Sequence, residues 1–135
     1  MSKTDYILLG MDNEDDVLLF RLSARKASVL GNIMWLCTEE QIRGYFDGIG
    51  IYADRAICPL PSLLFLSGQL NGQPTLELLQ WLTQHHAIRS VPVIITTATF
   101  DPEICTQAKT LGALECFGKP LAQADWAKLN TLLKT

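Results

Sequence analysis

The sequence predicts a three-layer α/β protein on a doubly wound parallel sheet of five strands, in the order 2-1-3-4-5. Three observations predict it. Short apolar runs recur along the chain and stop abruptly at small or polar residues, as buried strands of a parallel sheet do. Helical patterns separate each run from the next, and parallel neighbours need such crossovers. Strand and helix alternate five times, which calls for a sheet covered on both faces. The clearest run is Leu63–Leu66, inside Pro61–Gly72. It ends at Ser67, Gly68 and Gln69, the carboxyl end of the strand, where open α/β sheets build their sites.

Each element has its own signal. Tyr6–Gly10 is the first strand, ending at Met11-Asp12-Asn13. Glu14, Asp15 and Asp16 then open a helix, where negative charge suits the positive end of the dipole. Asn13, Val17, Phe20 and Ala24 recur at helical spacing, and Gly31 separates that helix from a strand over Asn32–Leu36. Thr38-Glu39-Glu40-Gln41 has the capping-box form and starts a short helix with Ile42, Tyr45 and Phe46 on its apolar side. Gly48 and Gly50 end it, and Ile51–Pro61 reads as a loop with an extended piece at Ile51-Tyr52. After the third strand, Asn71-Gly72-Gln73-Pro74 is a turn. Thr75–Gln84 is a helix carrying Leu76, Leu78, Leu79, Trp81 and Leu82, and Val93–Thr97 is the fourth strand. Asp101 is an N-cap with Pro102 at the first helical position, and Gly112 falls where a C′ glycine belongs. Leu114–Phe117 is the fifth strand, closed by Lys119-Pro120. A last helix over Ala122–Lys134 places Trp126, Leu129 and Leu133 on one face, as core.

Composition narrows the function classes. At 135 residues the chain fits one domain, 1–135, large enough to bury a core without staples. A content of 48% hydrophobic and 19% charged residues argues for an ordered fold. The net charge of −3 gives no basic surface for nucleic acid. The opening apolar run is too short for a signal peptide and no run is long enough to span a bilayer, so the expectation is a cytoplasmic protein without membrane contact. Cys37, Cys58, Cys105 and Cys116 form no CxxC pair and no zinc spacing, and are expected as buried reduced thiols. His85 and His86 are adjacent near a helix end and read as solvated surface residues.

In this fold the carboxyl ends of strands 1, 3, 4 and 5 bring Met11-Asp12, Ser67, Thr97 and Lys119 to one pocket. At these residues the chain resembles a response-regulator receiver domain of two-component signalling. The resemblance runs through ILLGMDNEDDVLL, PSLLFLSGQLNGQPTLELLQWL, VPVIITTATFDPE and GALECFGKP, in matching order and spacing over essentially the whole chain. The opening is most similar to the single-domain receivers, such as chemotaxis regulators. The resemblance implies the flavodoxin-like (βα)5 form of the fold.

It also implies the roles of particular residues. The family's acidic pair after strand 1 falls on Met11-Asp12, and its phosphoacceptor aspartate falls on Ser67. Gln69 sits where the family offers a backbone carbonyl to a metal. Thr97 matches the hydroxyl residue ending strand 4, and Lys119 the lysine ending strand 5, with Pro120 after a bond often cis in the family. The switch aromatic falls on Cys116, with Phe117 offset by one. The neutral and cationic half of the site is kept, and the carboxylate half is reduced to Asp12, expected to pair with Lys119. Mg²⁺ wants carboxylate oxygen, which neither the Met11 thioether nor the Ser67 hydroxyl supplies, so no cofactor and at most weak Mg²⁺ binding are expected.

The leading expectation is therefore a pseudo-receiver: no enzyme, but a module acting by phosphorylation-independent protein–protein interaction. Its expected partner is a signalling protein such as a histidine kinase or downstream effector. The resemblance points to the helix 4–strand 5–helix 5 face, about Asp101–Thr135 with Cys116, Phe117 and Lys128, as the partner or homodimer surface. One alternative is a response regulator still in a phosphorelay by an unusual route, such as Ser67 phosphorylation. Such a serine would need its own base. Another is a small-ligand-binding flavodoxin-like domain. Against it, the loop Gly10–Asp16 is acidic, where a flavin phosphate needs a Ser/Thr/Gly-rich loop at a helix amino terminus.

Overall fold

The computed structural model describes residues 6–29, 31–85, 91–99 and 101–133. Five strands form one parallel sheet: β1 (Tyr6–Gly10), β2 (Asn32–Leu36), β3 (Leu63–Ser67), β4 (Val93–Thr97) and β5 (Glu115–Gly118). Their spatial order is β2-β1-β3-β4-β5, the expected doubly wound arrangement. The helices are α1 (Glu14–Lys26), α2 (Glu39–Asp47), α3 (Leu76–Gln84), α4 (Pro102–Thr110) and α5 (Gln123–Leu133).

Side chains alternate across the sheet with period 2 and so build two cores. On one face Leu8, Leu64, Leu66, Ile95 and Cys116 pack against α2, α3 and α4. On the other, Ile7, Leu9, Leu63, Phe65, Ile94 and Phe117 pack against α1 and α5. Register aligns the strand ends, with Leu9 opposite Phe65, Phe65 opposite Ile94 and Ile95 opposite Cys116. The carboxyl ends of β1, β3, β4 and β5 therefore open on one edge.

Local chemistry sets the element ends. The Asn13 side chain accepts hydrogen bonds from the Asp15 and Asp16 amides and caps α1. At α2 the expected capping box is complete: the Gln41 amide donates to Thr38 Oγ1 at 3.1 Å, and the Thr38 amide donates to Gln41 Oε1 at 3.2 Å. Gly48 closes α2 at φ 67°, the left-handed conformation glycine tolerates best. Asp101 caps α4 ahead of Pro102, and Gly112 follows it at φ 111°. The Lys119–Pro120 bond is cis. In the loop after α2, the Arg55 guanidinium donates to the carbonyls of Tyr45, Phe46 and Cys58 and closes the helix end against the loop.

Three expectations are corrected here. Ile51-Tyr52 is not extended: Gly50–Tyr52 is a single 3₁₀ turn, because Gly50 at φ 60° turns the chain tightly after α2. Cys105 and Cys116 are not reduced thiols. They form a disulfide with Cα atoms 5.4 Å apart, because the fold stacks α4 on β5 and aims both side chains into one core face. Cys37 and Cys58 are free thiols, and only Cys58 is buried. His85 is not simply solvated, since its Nε2 lies 3.2 Å from Asp47 Oδ1 and its ring packs on Trp81. His86 and the end of the last helix at Lys134 lie outside the described residues.

Glu115 ties three elements together. Its nearly buried carboxylate lies 2.7 Å from Lys109 Nζ of α4 and 2.9 Å from Lys128 Nζ of α5. Burial pushes its pKa up, but the two ammonium groups and the Cys116 amide outweigh it and hold the group down at about 2, against a usual 4.5. The folded state therefore gains stability from Glu115 above about pH 4.5 and loses it as pH falls through about 2. Both lysines are about half exposed, so water screens the gain to roughly 1–2 kcal/mol. Urea unfolding of wild type and Glu115→Gln should differ by that amount at pH 7 and converge only below about pH 2. A difference that persists at the acid end would show that the carboxylate acts by shape rather than charge.

Candidate functional site

At the carboxyl edge of the sheet lies a cleft of about 770 Å³. Asp12, Asp16, Ser67, Gln69, Thr97 and Lys119 line it, with Pro74 and Leu76 on one side and Pro102 and Ile104 on the other. All the expected pocket residues except Met11 converge there.

The deep end is built on β3. Ser67 is 3% exposed, and its main-chain carbonyl accepts a hydrogen bond from Thr75 Oγ1 at 2.7 Å. Gly68 continues the ladder through its amide to Thr96 O at 2.8 Å, with no side chain to fill the space beside Thr97. The chain then folds back as a two-stranded ribbon, Gln69–Leu70 against Gln73–Pro74. Asn71 and Gly72, at φ 53° and 81°, make the two-residue turn that the Asn-Gly pair favours. That ribbon forms a wall of the cleft.

The charges pair differently from the expectation. Lys119 does not take Asp12 as its partner: its Nζ donates to Ser67 Oγ at 2.7 Å and to Asp16 Oδ2 at 3.0 Å. The Asp12 carboxylate instead accepts the Asn71 amide and pins the ribbon tip. The reason lies in the packing: the first turn of α1 carries Asp16 over Lys119, and the Asn71 amide claims Asp12. From the sequence alone Asp16 reads only as a favourable charge in a helix's first turn. Carboxylate is thus present at three positions of the cleft, Asp12, Asp16 and Asp101, rather than one; Asp101 caps α4 through its side chain.

Met11 turns away from this group. It is 1% exposed and packs with Val17 and Phe20 in the α1–α5 core, beside the inner side of Lys119. Thr97 is 7% exposed at the cleft, and its Oγ1 has no hydrogen-bond partner among the described residues. Cys116 and Phe117 are both buried and point to opposite faces of the sheet. Neither presents surface to a partner, and a one-residue offset moves the aromatic ring to the other core. Pro120 is exposed next to them.

This arrangement suits a divalent cation poorly. Asp12 offers a carboxylate already holding an amide, Asp16 is neutralised by Lys119, and Ser67 adds only a hydroxyl. No cluster of three or more metal-ligating side chains occurs among the described residues. Among the described residues the Ser67 hydroxyl also has no base in contact: its Oγ accepts from Lys119 Nζ, which is shared with Asp16.

No family model and no curated protein matches the sequence. Solved structures do. The response regulator RPA3017, from red-light signalling of R. palustris, superposes with a TM-score of 0.81 at 22% identity, covering 94% of this chain and 89% of that one. The bacteriophytochrome response regulator AtBRR gives 0.81 at 23% identity, over 96% and 92% of the two chains. A two-component response regulator from Legionella pneumophila gives 0.79 at 21%, over 97% and 98%. Each of these likenesses covers at least 94% of this chain. The chain has the flavodoxin-like fold of response-regulator receiver domains.

Proposed function

We propose that this chain is a pseudo-receiver, a module of two-component signal transduction that works by protein–protein interaction without phosphorylation. The observation that carries this reading is the Ser67–Lys119–Asp16 chain of contacts. At the end of β3, where the resemblance expects an acceptor carboxylate, there is a hydroxyl. The lysine that would steady a phosphoryl group is already bound inside the protein. Its partner is a signalling protein such as a histidine kinase or a downstream effector.

Two surfaces suit such a contact. The α4–β5–α5 side is polar and held in one shape by Glu115, and it could also serve a homodimer. On α1, Leu18, Leu19 and Leu22 are 56%, 44% and 43% exposed, and Leu19 shares a small hollow with Pro120. Clustered exposed leucines favour a protein partner over plain solvent.

The test is incubation with acetyl phosphate or phosphoramidate plus Mg²⁺, followed by intact-mass measurement. No stable adduct is expected. A stoichiometric, base-labile phosphoryl adduct would overturn the reading and favour a phosphorelay role. Titration with Mg²⁺ and beryllofluoride, followed by amide NMR shifts at Asp12, Ser67, Thr97 and Lys119, should show no movement at millimolar metal.

A further inference from the structure

Cys105 of α4 and Cys116 of β5 are joined by a disulfide, and the two residues are 7% and 5% exposed. We propose that this pair is a thiol–disulfide exchange site whose state fastens or frees α4, and with it one wall of the cleft. Its co-reactant is a thiol of the glutathione class.

The chemistry balances without any other group. A thiolate attacks one sulfur of the pair, the Cys105–Cys116 bond breaks, and the departing cysteine sulfur takes a proton. A second thiolate attacks the mixed disulfide, releasing the oxidised co-reactant and leaving two cysteine thiols. Two electrons pass from two small thiols to the pair.

Three features of the molecule point to exchange rather than a permanent staple. First, α4 has only nine residues, and its Pro102 and Ile104 line the cleft within one turn of Cys105. A bond at Cys105 therefore acts directly on that wall. Second, the ion pair between the same elements, Lys109 with Glu115, has its ammonium half exposed, and water screens its contribution. The disulfide adds a covalent tie of α4 to β5 beside that ion pair and the apolar packing around it. Third, both states suit the fold. Reduced cysteines are small apolar residues, and here they would stay among Ile95, Ala108 and Ala113 with no unsatisfied polar atom. The pair spans a sequence separation of only 11, so it restrains the unfolded chain modestly and its loss need not unfold the domain. In a reducing compartment, disulfides that do form are mostly transient and redox-sensing.

The experiment equilibrates the full chain with defined mixtures of reduced and oxidised glutathione. Free thiols are counted by alkylation and mass spectrometry, and amide hydrogen exchange is measured on the same samples. At the oxidising end only Cys37 and Cys58 should alkylate after denaturation, and at the reducing end all four cysteines should. Reduction should speed exchange across residues 102–111 by about tenfold or more, leaving β1 and β3 unchanged. The double variant Cys105→Ala, Cys116→Ala should show the fast exchange in every mixture. Four reactive thiols at the oxidising end would overturn the proposal. So would a bond that glutathione cannot reduce in the folded protein, or reduction with no change in α4. If the double variant does not fold, the wild-type titration alone decides among these results.

Discussion

Ser67→Asp should raise Mg²⁺ affinity at least tenfold over the wild-type chain and should allow a base-labile phosphoryl adduct to form from acetyl phosphate. The new carboxylate would stand where Ser67 Oγ now meets Lys119 Nζ at 2.7 Å, in a cleft that already holds Asp12 and Asp16. Near a protein surface, two unit charges 4 Å apart interact by about 4 kcal/mol, and a divalent ion raises that figure. Desolvating the metal and separating Lys119 from Asp16 offset much of it, yet about 1.4 kcal/mol is enough for the tenfold gain. Without metal, crowding three carboxylates around one lysine should lower stability. Thr97 lines the cleft, and its buried Oγ1, without a hydrogen-bond partner among the described residues, is free to turn and donate to an added phosphoryl oxygen. Met11→Glu on top of Ser67→Asp tests the remaining difference, with a cost, because Met11 packs against Val17 and Phe20. Amide shifts on Mg²⁺ titration check the first effect and intact mass the second. If Ser67→Asp binds no Mg²⁺ at millimolar concentration, then Ser67 is not the feature that silences the site.

Trp126→Ala should cost about 3–5 kcal/mol of folding stability, the range for truncating a large aromatic in a core. Trp126 is 2% exposed and packs against the rings of Phe20 and Phe65, each with centroids 5.6 Å away. Its indole also donates to Ser23 Oγ at 2.7 Å, and Ser23 in turn donates to the Leu121 carbonyl. One side chain thus holds α5, α1 and the strand that ends at Ser67. Alanine removes the rings' partner and leaves a cavity that fixed strands cannot close. Trp126→Phe should cost much less, since it keeps most of the volume and loses the hydrogen bond. Urea midpoints at constant m-value would measure both. A loss below about 1 kcal/mol for Trp126→Ala would mean α5 is not anchored to the sheet through this core.

Hydrophobic periodicity and capping chemistry are local, and the sequence determined what depends on them. The bounds of β1, β2 and β4 and the start of α1 followed from apolar runs and acidic first turns. Thr38 and Gln41 announced α2, and Asp101-Pro102 announced α4, because a cap is satisfied within four residues. The sheet order followed from the alternation of elements, since short crossovers leave few arrangements. The same logic brought Asp12, Ser67, Thr97 and Lys119 to one edge.

Only the tertiary structure decided which of those groups touch. Lys119 lies 103 residues from Asp16, and no local pattern selects Asp16 over Asp12 as its partner. The choice depends on how the first turn of α1 sits above β5 and on the ribbon amide of Asn71, which claims Asp12. The same holds for the cysteines. Their spacing fits no motif, and the bond between Cys105 and Cys116 exists because α4 and β5 stack with both side chains on one core face. Met11 likewise faces the core rather than the cleft, a matter of strand register that period alone leaves open until the sheet is assembled. Local free energies choose the elements; contacts between residues far apart in sequence depend on packing, which the whole fold sets at once.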